Sequence, residues 1–290
     1  MTNEATTPSG QPLGISHKPS KSGAMFTKFK AENKPAFIGY LPYGFPNPDV
    51  SLDAFRTMVE HGVDAVEIGL PYSEPVMDGP VIQAAASIAL NNGETIKRVF
   101  EAVETVANAG GVPLIMSYWN LVYHYGVERF ARDFENAGGA GLIEPRTLSR
   151  TRRGSGSKPP TVTDSTASSW SPRTRPPSAS KPWPATRAAS CMRPPAWASP
   201  ANAPPSTPRP NCSWSAPVRA GAENVCVGIG VSTAEQGAKV GSYADGVIVG
   251  SALVHTLLAD DNKTARDPKE GLKLLAAKSE ELAEGIHNAR

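Results

Sequence analysis

A strand that carries a carboxylate sets the strongest limit on how this chain can fold. Residues 64–82 read D-A-V-E-I-G-L-P-Y-S-E-P-V-M-D-G-P-V-I, so that only Glu67 interrupts the apolar run at 65–70. Such a run is typical of a parallel-sheet strand covered on both faces. A carboxylate there is costly unless it is paired or used in chemistry. A second acid, Asp78, follows on the adjoining loop, which favours a catalytic pair over a hydrogen-bonded structural acid.

The same stretch resembles the catalytic signature of the tryptophan synthase α subunit, a family of TIM-barrel lyases. The resemblance implies an α/β fold, a TIM (β/α)8 barrel, in which Glu67 and Asp78 are the two catalytic acids. It implies cleavage of indole-3-glycerol phosphate to indole and glyceraldehyde 3-phosphate in tryptophan biosynthesis. One departure is Glu74, where we expect Asp in the family.

The resemblance also implies a partner. We expect an α2β2 heterotetramer with a tryptophan synthase β subunit, which would hold pyridoxal phosphate. In this subunit the resemblance implies neither a cofactor nor a metal.

Strands and helices alternate around this stretch, as in parallel βα units. Apolar spacing and Gly breaks predict strands at 36–41, 65–70, 113–117 and 138–143, with helices at 25–32, 52–61, 81–90, 95–108 and 127–136. A barrel of eight such units has its active site at the carboxyl ends of the strands. Glu67 and Asp78 would both lie at that end.

The alternation returns after residue 220, with strands at 225–229 and 246–249 and helices at 233–240, 251–258 and 272–286. Both strands end in glycines, which let backbone N–H groups approach a phosphate at a helix N-terminus. Tight βα turns use Gly for other reasons too. The resemblance makes Gly230, Gly250 and Ser251 ligands of the substrate phosphate.

Aromatic side chains near the predicted strand ends are candidates for substrate contacts. The resemblance places Tyr118 and Asn120 near the site and the subunit interface. Tyr40, Phe37 and Met116 are candidates for an apolar indole pocket, although core packing explains them equally well.

Residues 145–218 differ sharply from the rest of the chain. They hold 16 of the 28 prolines, four of the five tryptophans and 11 of the 29 Lys plus Arg, but one acid. The other residues carry 18 basic and 26 acidic side chains. We therefore divide the chain into a flexible tail (1–23), barrel strands one to four (24–144), this segment, and strands seven and eight with the C-terminal helix (219–290).

Three interpretations of this segment are open: a disordered Pro-rich linker, a basic surface for nucleic acid or an acidic partner, and a frameshifted barrel sequence. In one shifted frame, each Ser written TCN, each Cys and each Trp puts T in the middle of a codon, and such codons encode apolar residues. Residues 167–171 then become a buried strand, and 188–201 fit G-F-V-x-A-A-S-G-M-G-V-T-G, which resembles the family's sixth strand and phosphate loop.

We favour the frameshift, lost near Glu144 and restored near Val218. The chain as written would then lack strands five and six, fold poorly and be inactive. The alternatives are a relic that only docks to the β subunit, another phosphate-binding barrel enzyme, and a nucleic-acid-binding protein.

Composition limits the remaining classes. A net charge of +2 gives no indication of nucleic-acid binding, and Cys191, Cys212 and Cys226 form no metal-ligand or disulfide pattern. No apolar run reaches the ~18 residues of a membrane span. The N-terminus lacks an apolar signal core. We expect a cytoplasmic protein that binds neither nucleic acid nor membrane.

Overall fold

Parallel strands form the centre of the molecule, as the alternation of strands and helices predicts. The computed structural model describes residues 20–73, 78–143, 164–167, 188–192, 224–228 and 230–290. Its strands are β1 (Ala36–Pro42), β2 (Ala65–Gly69), β3 (Val112–Met116), β4 (Gly141–Ile143), β5 (Asp164–Ala167), β6 (Ala188–Met192), β7 (Asn224–Gly228) and β8 (Gly246–Val249). They form one sheet in the order β4-β3-β2-β1-β8-β7-β6-β5. The parallel pairing of β1 with β8 joins the first strand to the last, as barrel closure requires.

Helices follow the strands in the described residues. They are α1 (Lys21–Ala31), α2 (Pro48–Glu60), α3 (Pro80–Asn91), α4 (Val99–Asn108), α5 (Trp119–Tyr125), α6 (Val127–Asn136), α7 (Ala234–Gly241), α8 (Ser251–Thr256) and α9 (Pro268–His287). A 3₁₀ turn, Ile96–Arg98, precedes α4.

Helix ends differ from the predicted ones where a cap sets the boundary. The Asn47 side chain accepts a hydrogen bond from Val50 N, so α2 begins four residues before the expected start. Asp267 likewise accepts from Lys269 N and Glu270 N, with Pro268 at the first helical position, so α9 begins at Pro268. The helix expected at 95–108 is divided into the 3₁₀ turn and α4.

The two faces of the sheet have different neighbours. A Cβ on Gly39 would lie 3.1 Å from side-chain atoms of Leu253 in α8 and Val63, so this face is covered by helices. A Cβ on Gly246 would meet Cys226 of β7 at 2.8 Å and Ile38 of β1 at 3.2 Å, which places the opposite face inside the curved sheet. Successive residues of a strand point to opposite faces of the sheet, and residues in register on neighbouring strands share a face.

Two acids secure the amino-terminal ends of the strands. Phe37 N donates to Asp64 Oδ2 at 2.7 Å, and Val225 N donates to Asp245 Oδ2 at 2.8 Å. His287 at the end of α9 lies 2.8 Å from Asp64 Oδ2, and Lys30 of α1 lies 3.5 Å from Asp245 Oδ1. These contacts attach the first and last helices to the bottom of the sheet.

Two short strands lie within 145–218, where the sequence analysis expected none of the barrel's strands. β6 pairs with β7 in parallel, and β5 pairs with β6 antiparallel. β6 falls within 188–201, the stretch that the shifted reading frame assigns to strand six. Most of the segment lies outside the described residues, and so does the tail at 1–19.

Among the described helices, none combines the length and the apolar character that crossing a membrane requires.

Candidate active site

Glu67 is a carboxylate inside a fully buried strand. All five residues of β2 are buried, and Glu67 is 1% exposed. Its register partners are Tyr40 in β1 and Leu114 in β3, which places it on the inner face of the sheet. Glu67 Oε2 makes no hydrogen bond within the described part of the chain. At least this oxygen is therefore outside any hydrogen-bond network of the described residues, and burial raises the pKa of Glu67 to about 7.

Asp78 lies on the loop that leads from β2 into α3. Its side chain is 9% exposed, and Gln83 Nε2 donates to its backbone carbonyl at 2.9 Å, which fixes this part of the loop on the first turn of α3. Burial raises the pKa of Asp78 to about 6. Both acids therefore titrate within about two units of neutral pH. Residues 74–77, which include Glu74, lie outside the described residues.

Tyr40 lies close to both acids and to the ends of β2 and β8. Burial raises the pKa of its phenol well above the ordinary value, and the charges of Asp78, Glu67 and then Tyr118 add to the shift. A Cβ on Gly69 would lie 2.5 Å from the Tyr40 hydroxyl, and a Cβ on Gly250 would lie 3.4 Å from Tyr40 Cδ1. Tyr40 thus lies between the end of β2, which carries the first acid, and the end of β8.

Tyr118 and Asn120 lie on the rim at the start of α5. The rings of Tyr118 and Tyr72 pack with centroids 4.6 Å apart. Asn120 Nδ2 donates to Tyr72 Oη at 3.2 Å. The third βα loop is therefore attached to the second, the loop that also bears Asp78.

The glycines at the ends of β7 and β8 differ in what surrounds them. Gly250 precedes α8, whose first residue is Ser251, and contacts Tyr40. Gly230 has φ +58°, a left-handed conformation that favours glycine, and a Cβ there would meet no atom of the described residues within 4 Å. Gly250 therefore lies close to Tyr40 and the acids, whereas no described residue lies close to the position of a Gly230 side chain.

The strand register removes one of the predicted indole-pocket residues from the inner face of the sheet and places another residue there. Phe37 is fully buried, but it is in register with Val247 and lies one residue from the inner position Ile38, so it faces the helices and is no part of an indole pocket. Met116, in register with Gly69, lies on the inner face. Leu114 lies beside Glu67 on the same face; strand pairing identifies it, and nothing in its local sequence does. Among the described residues, no cluster of His, Cys, Asp or Glu could hold a metal ion.

A parallel βα sheet with two buried acids, one in β2 and one just after it, defines an α/β barrel with ionisable groups toward the end where such barrels carry their active sites. Known proteins support this class. The family model "Tryptophan synthase alpha chain" matches residues 26–147 and 218–287. A tryptophan synthase alpha chain from Bifidobacterium longum is 75% identical over 299 residues, covering 100% of this chain and 99% of the relative. One from Nocardia farcinica is 40% identical, covering 93% and 97%.

Solved structures agree. Tryptophan synthase from M. tuberculosis, in an open form with BRD0059 bound, superposes with a TM-score of 0.67 at 31% identity, covering 93% of this chain and 100% of that one. The chain belongs to the tryptophan synthase alpha chain family, and the predicted TIM-barrel fold is confirmed. This family cleaves indole-3-glycerol phosphate in tryptophan biosynthesis and forms part of a lyase. Another phosphate-binding barrel enzyme is thereby ruled out.

Proposed function

We propose that Glu67 and Asp78 perform the proton transfers of this cleavage. The observation that carries the proposal is the pair of buried acids around Tyr40, one of which has a carboxylate oxygen without a hydrogen bond in the described residues. The reaction is a retro-aldol cleavage, in which the indole ring gains a proton at C3 and the glycerol hydroxyl loses one. The carbon–carbon bond then breaks to give indole and glyceraldehyde 3-phosphate.

Glu67 is assigned the proton shuttle. As a carboxylate it takes the proton from the glycerol hydroxyl, and as an acid it gives a proton to C3 of the ring. A pKa of about 7 leaves both forms populated near neutral pH, which suits a group that acts in both directions.

Asp78 is assigned the role of binding the indole N–H group. With a pKa of about 6 it is mostly ionised at neutral pH, so it accepts a hydrogen bond from the ring N–H. Its charge stabilises the positive charge that develops on the ring when C3 is protonated.

Tyr40, Tyr118 and Met116 would contact the indole ring on the inner face. Gly230, Gly250 and Ser251 would bind the phosphate through backbone N–H groups and the serine hydroxyl. Binding energy from the phosphate, which does not react, then orients the bond that breaks. These proton transfers require no organic cofactor or metal in this subunit.

A β subunit is the proposed partner, since the family pairs with one. We propose an α2β2 assembly that docks at the rim formed by the second loop and Asn120, with pyridoxal phosphate in the partner. The cytoplasmic location remains a prediction.

We further propose that the chain as written is impaired because residues near 145–218 are frameshifted. The family match stops at residue 147 and resumes at 218, close to the two points where composition places the loss and return of frame. The unmatched residues, 148–217, are about a quarter of the chain. If nearly all the differences from the B. longum relative fell within them, the remaining three quarters would be nearly identical, which would give the observed 75% identity. The segment would carry the sixth strand's phosphate loop.

Indole release from indole-3-glycerol phosphate tests both proposals. The chain as written is compared with a repaired chain, in which codons 144–218 are restored to one frame, each with and without a β subunit. We expect turnover from the repaired chain only. Robust turnover by the chain as written would overturn the impairment. Stimulation of a β subunit by the otherwise inactive chain would instead identify a docking relic.

A further inference from the structure

A cavity of about 230 Å³ lies beside the candidate active site, between the loop after β1 and the elements that follow β2. Its wall is mostly apolar and includes Leu70 and Pro71 after β2, Leu90 of α3 and Ile96. Tyr43, Glu94 and Thr95 are the lining residues with polar side chains. None of these side chains has a role in the proposed reaction.

Glu94 is held inside, although it lies on a short connection after α3. Its side chain is 3% exposed, whereas a Glu is rarely so buried unless it is paired. Gly44 makes this position possible: it has φ +83°, and a Cβ there would collide with Glu94 Cγ. Asn92 Nδ2 also donates to Gly44 O at 3.0 Å and to Pro46 O at 2.8 Å, which attaches the first loop to the end of α3. The fold thus encloses a carboxylate between two fixed segments.

Two polar atoms in the wall of this cavity lack hydrogen-bond partners in the described part of the chain. Tyr43 Oη and Glu94 Oε2 are both buried, and neither makes a hydrogen bond within the described ranges. The nearest cation to Glu94 is Arg98, whose Nη1 lies 3.7 Å from the other carboxylate oxygen. Burial, followed by the charge of Glu94, raises the pKa of the Tyr43 phenol; the charge of Arg98 opposes the rise, and a side-chain interaction between Tyr43 and Glu94 adds a smaller one, so the two groups face each other. A buried donor or acceptor without a partner is costly, so such atoms indicate a water or a ligand.

We propose that this cavity binds a small primary amine with an apolar or aromatic body. An ammonium group has three donors, which can reach Glu94 Oε2 and Tyr43 Oη together, and an ionised carboxylate can only accept. The apolar wall would cover the body of the ligand. The cavity is smaller than the ~300–1,000 Å³ of pockets for drug-sized molecules, so the ligand is correspondingly small. The inference does not depend on the reaction assigned to Glu67 and Asp78.

Benzylamine is the probe, and saturation-transfer NMR with the full chain is the measurement. We expect saturable binding of benzylamine and none of benzoate, whose charge Glu94 repels. Glu94→Gln should weaken benzylamine binding about tenfold or more, since it removes a charge-assisted hydrogen bond. Tyr43→Phe should weaken it less. Glu101→Gln is the matched control, because Glu101 also pairs with Arg98, at 3.4 Å, but is half exposed and does not line the cavity.

The repaired chain, which keeps every residue of the cavity, is measured in parallel. If it unfolds cooperatively and benzylamine does not bind, the cavity holds water and the proposal is wrong. Equal weakening by Glu94→Gln and Glu101→Gln would also refute it, since binding would then reflect surface charge. Indole release is a separate measurement, so failure of the reaction assignment and failure of this site give different results.

Discussion

β2 and β8 share a sequence pattern and lie on either side of β1, yet only one of them carries a catalytic candidate. The first reads D-A-V-E-I-G from Asp64 and the second D-G-V-I-V-G from Asp245. Each Asp accepts a main-chain N–H from the preceding strand of the barrel. At the inner position where β2 has Glu67, β8 has Ile248. The two strands therefore use the same device to fix their lower ends and differ at one residue of the inner face.

The comparison distinguishes residues that stabilise the barrel, Asp64 and Asp245, from Glu67, the residue proposed to take part in the reaction. The lower ends of β2 and β8 carry acids that have partners, and the middle of β2 carries an acid whose Oε2 has none in the described residues. Residues at the carboxyl ends of barrel strands are those that decide activity. A single change at an inner position can thus alter function while the scaffold remains.

The largest expected effect is on turnover. In the repaired chain, Glu67→Gln should lower kcat for indole release by about 10²–10⁴-fold, the usual contribution of a general acid–base group. Asp78→Asn should also lower it by orders of magnitude. Ile248→Val, at the equivalent inner position of β8, should change kcat little. Near-normal turnover of either acid variant, with circular dichroism unchanged, would show that its assignment is wrong.

A smaller effect concerns stability and pH. Burial raises the pKa of Glu67 from 4.5 to about 7, so the folded state binds the proton more tightly than the unfolded state does. Stability from this group is therefore lost as pH rises from about 4.5 to 7. Glu67→Gln should make the repaired chain more stable by about 3 kcal/mol at pH 8 and change little at pH 4.

Urea unfolding of both proteins at the two pH values measures this difference, with the exposed Glu101→Gln as the control. In both proteins Asp78 also makes stability fall as pH rises, because burial raises its pKa too. Equal stability of Glu67→Gln and the parent at pH 8 would mean that the carboxylate is paired in solution.

The sequence alone predicts the strands in the parts of the chain that the family model matches. Short apolar runs next to a Gly, such as 65–70 and 246–249, are hard to interpret as anything but buried strands. The sequence was also sufficient to select Glu67 as a candidate, since a carboxylate in such a run is unusual, and Asp78 as the acid on the adjoining loop; their catalytic roles stay predictions. It could not assign Phe37 correctly, because the strand is apolar at nearly every position and alternation gives no indication of which side faces the helices.

Long-range contacts account for what was missed. Glu94 follows N-N-G and looks like a solvated loop residue, whereas in the fold the first βα loop, with Gly44 50 positions earlier, lies against it. The paired acids Asp64 and Asp245 were overlooked too, although the repeated D-x-V-x-x-G pattern could have identified them. The antiparallel pairing of β5 depends on contacts that no local pattern in a Pro-rich segment encodes.

The smallest expected effect tests whether the two lower acids are equivalent. In the repaired chain, Asp64→Ala should destabilise by about 2 kcal/mol and Asp245→Ala by about 1, since each loses a hydrogen bond to a backbone N–H. The difference comes from the second partner. His287 lies 2.8 Å from Asp64 and is 26% exposed, whereas Lys30 lies 3.5 Å from Asp245 and is 44% exposed, so solvent weakens the second pair. Double-mutant cycles with His287→Ala and Lys30→Ala, followed by urea unfolding, should give the larger coupling for Asp64 and His287. Equal couplings would contradict the expected difference, and couplings near zero would mean that both acids act through the backbone alone.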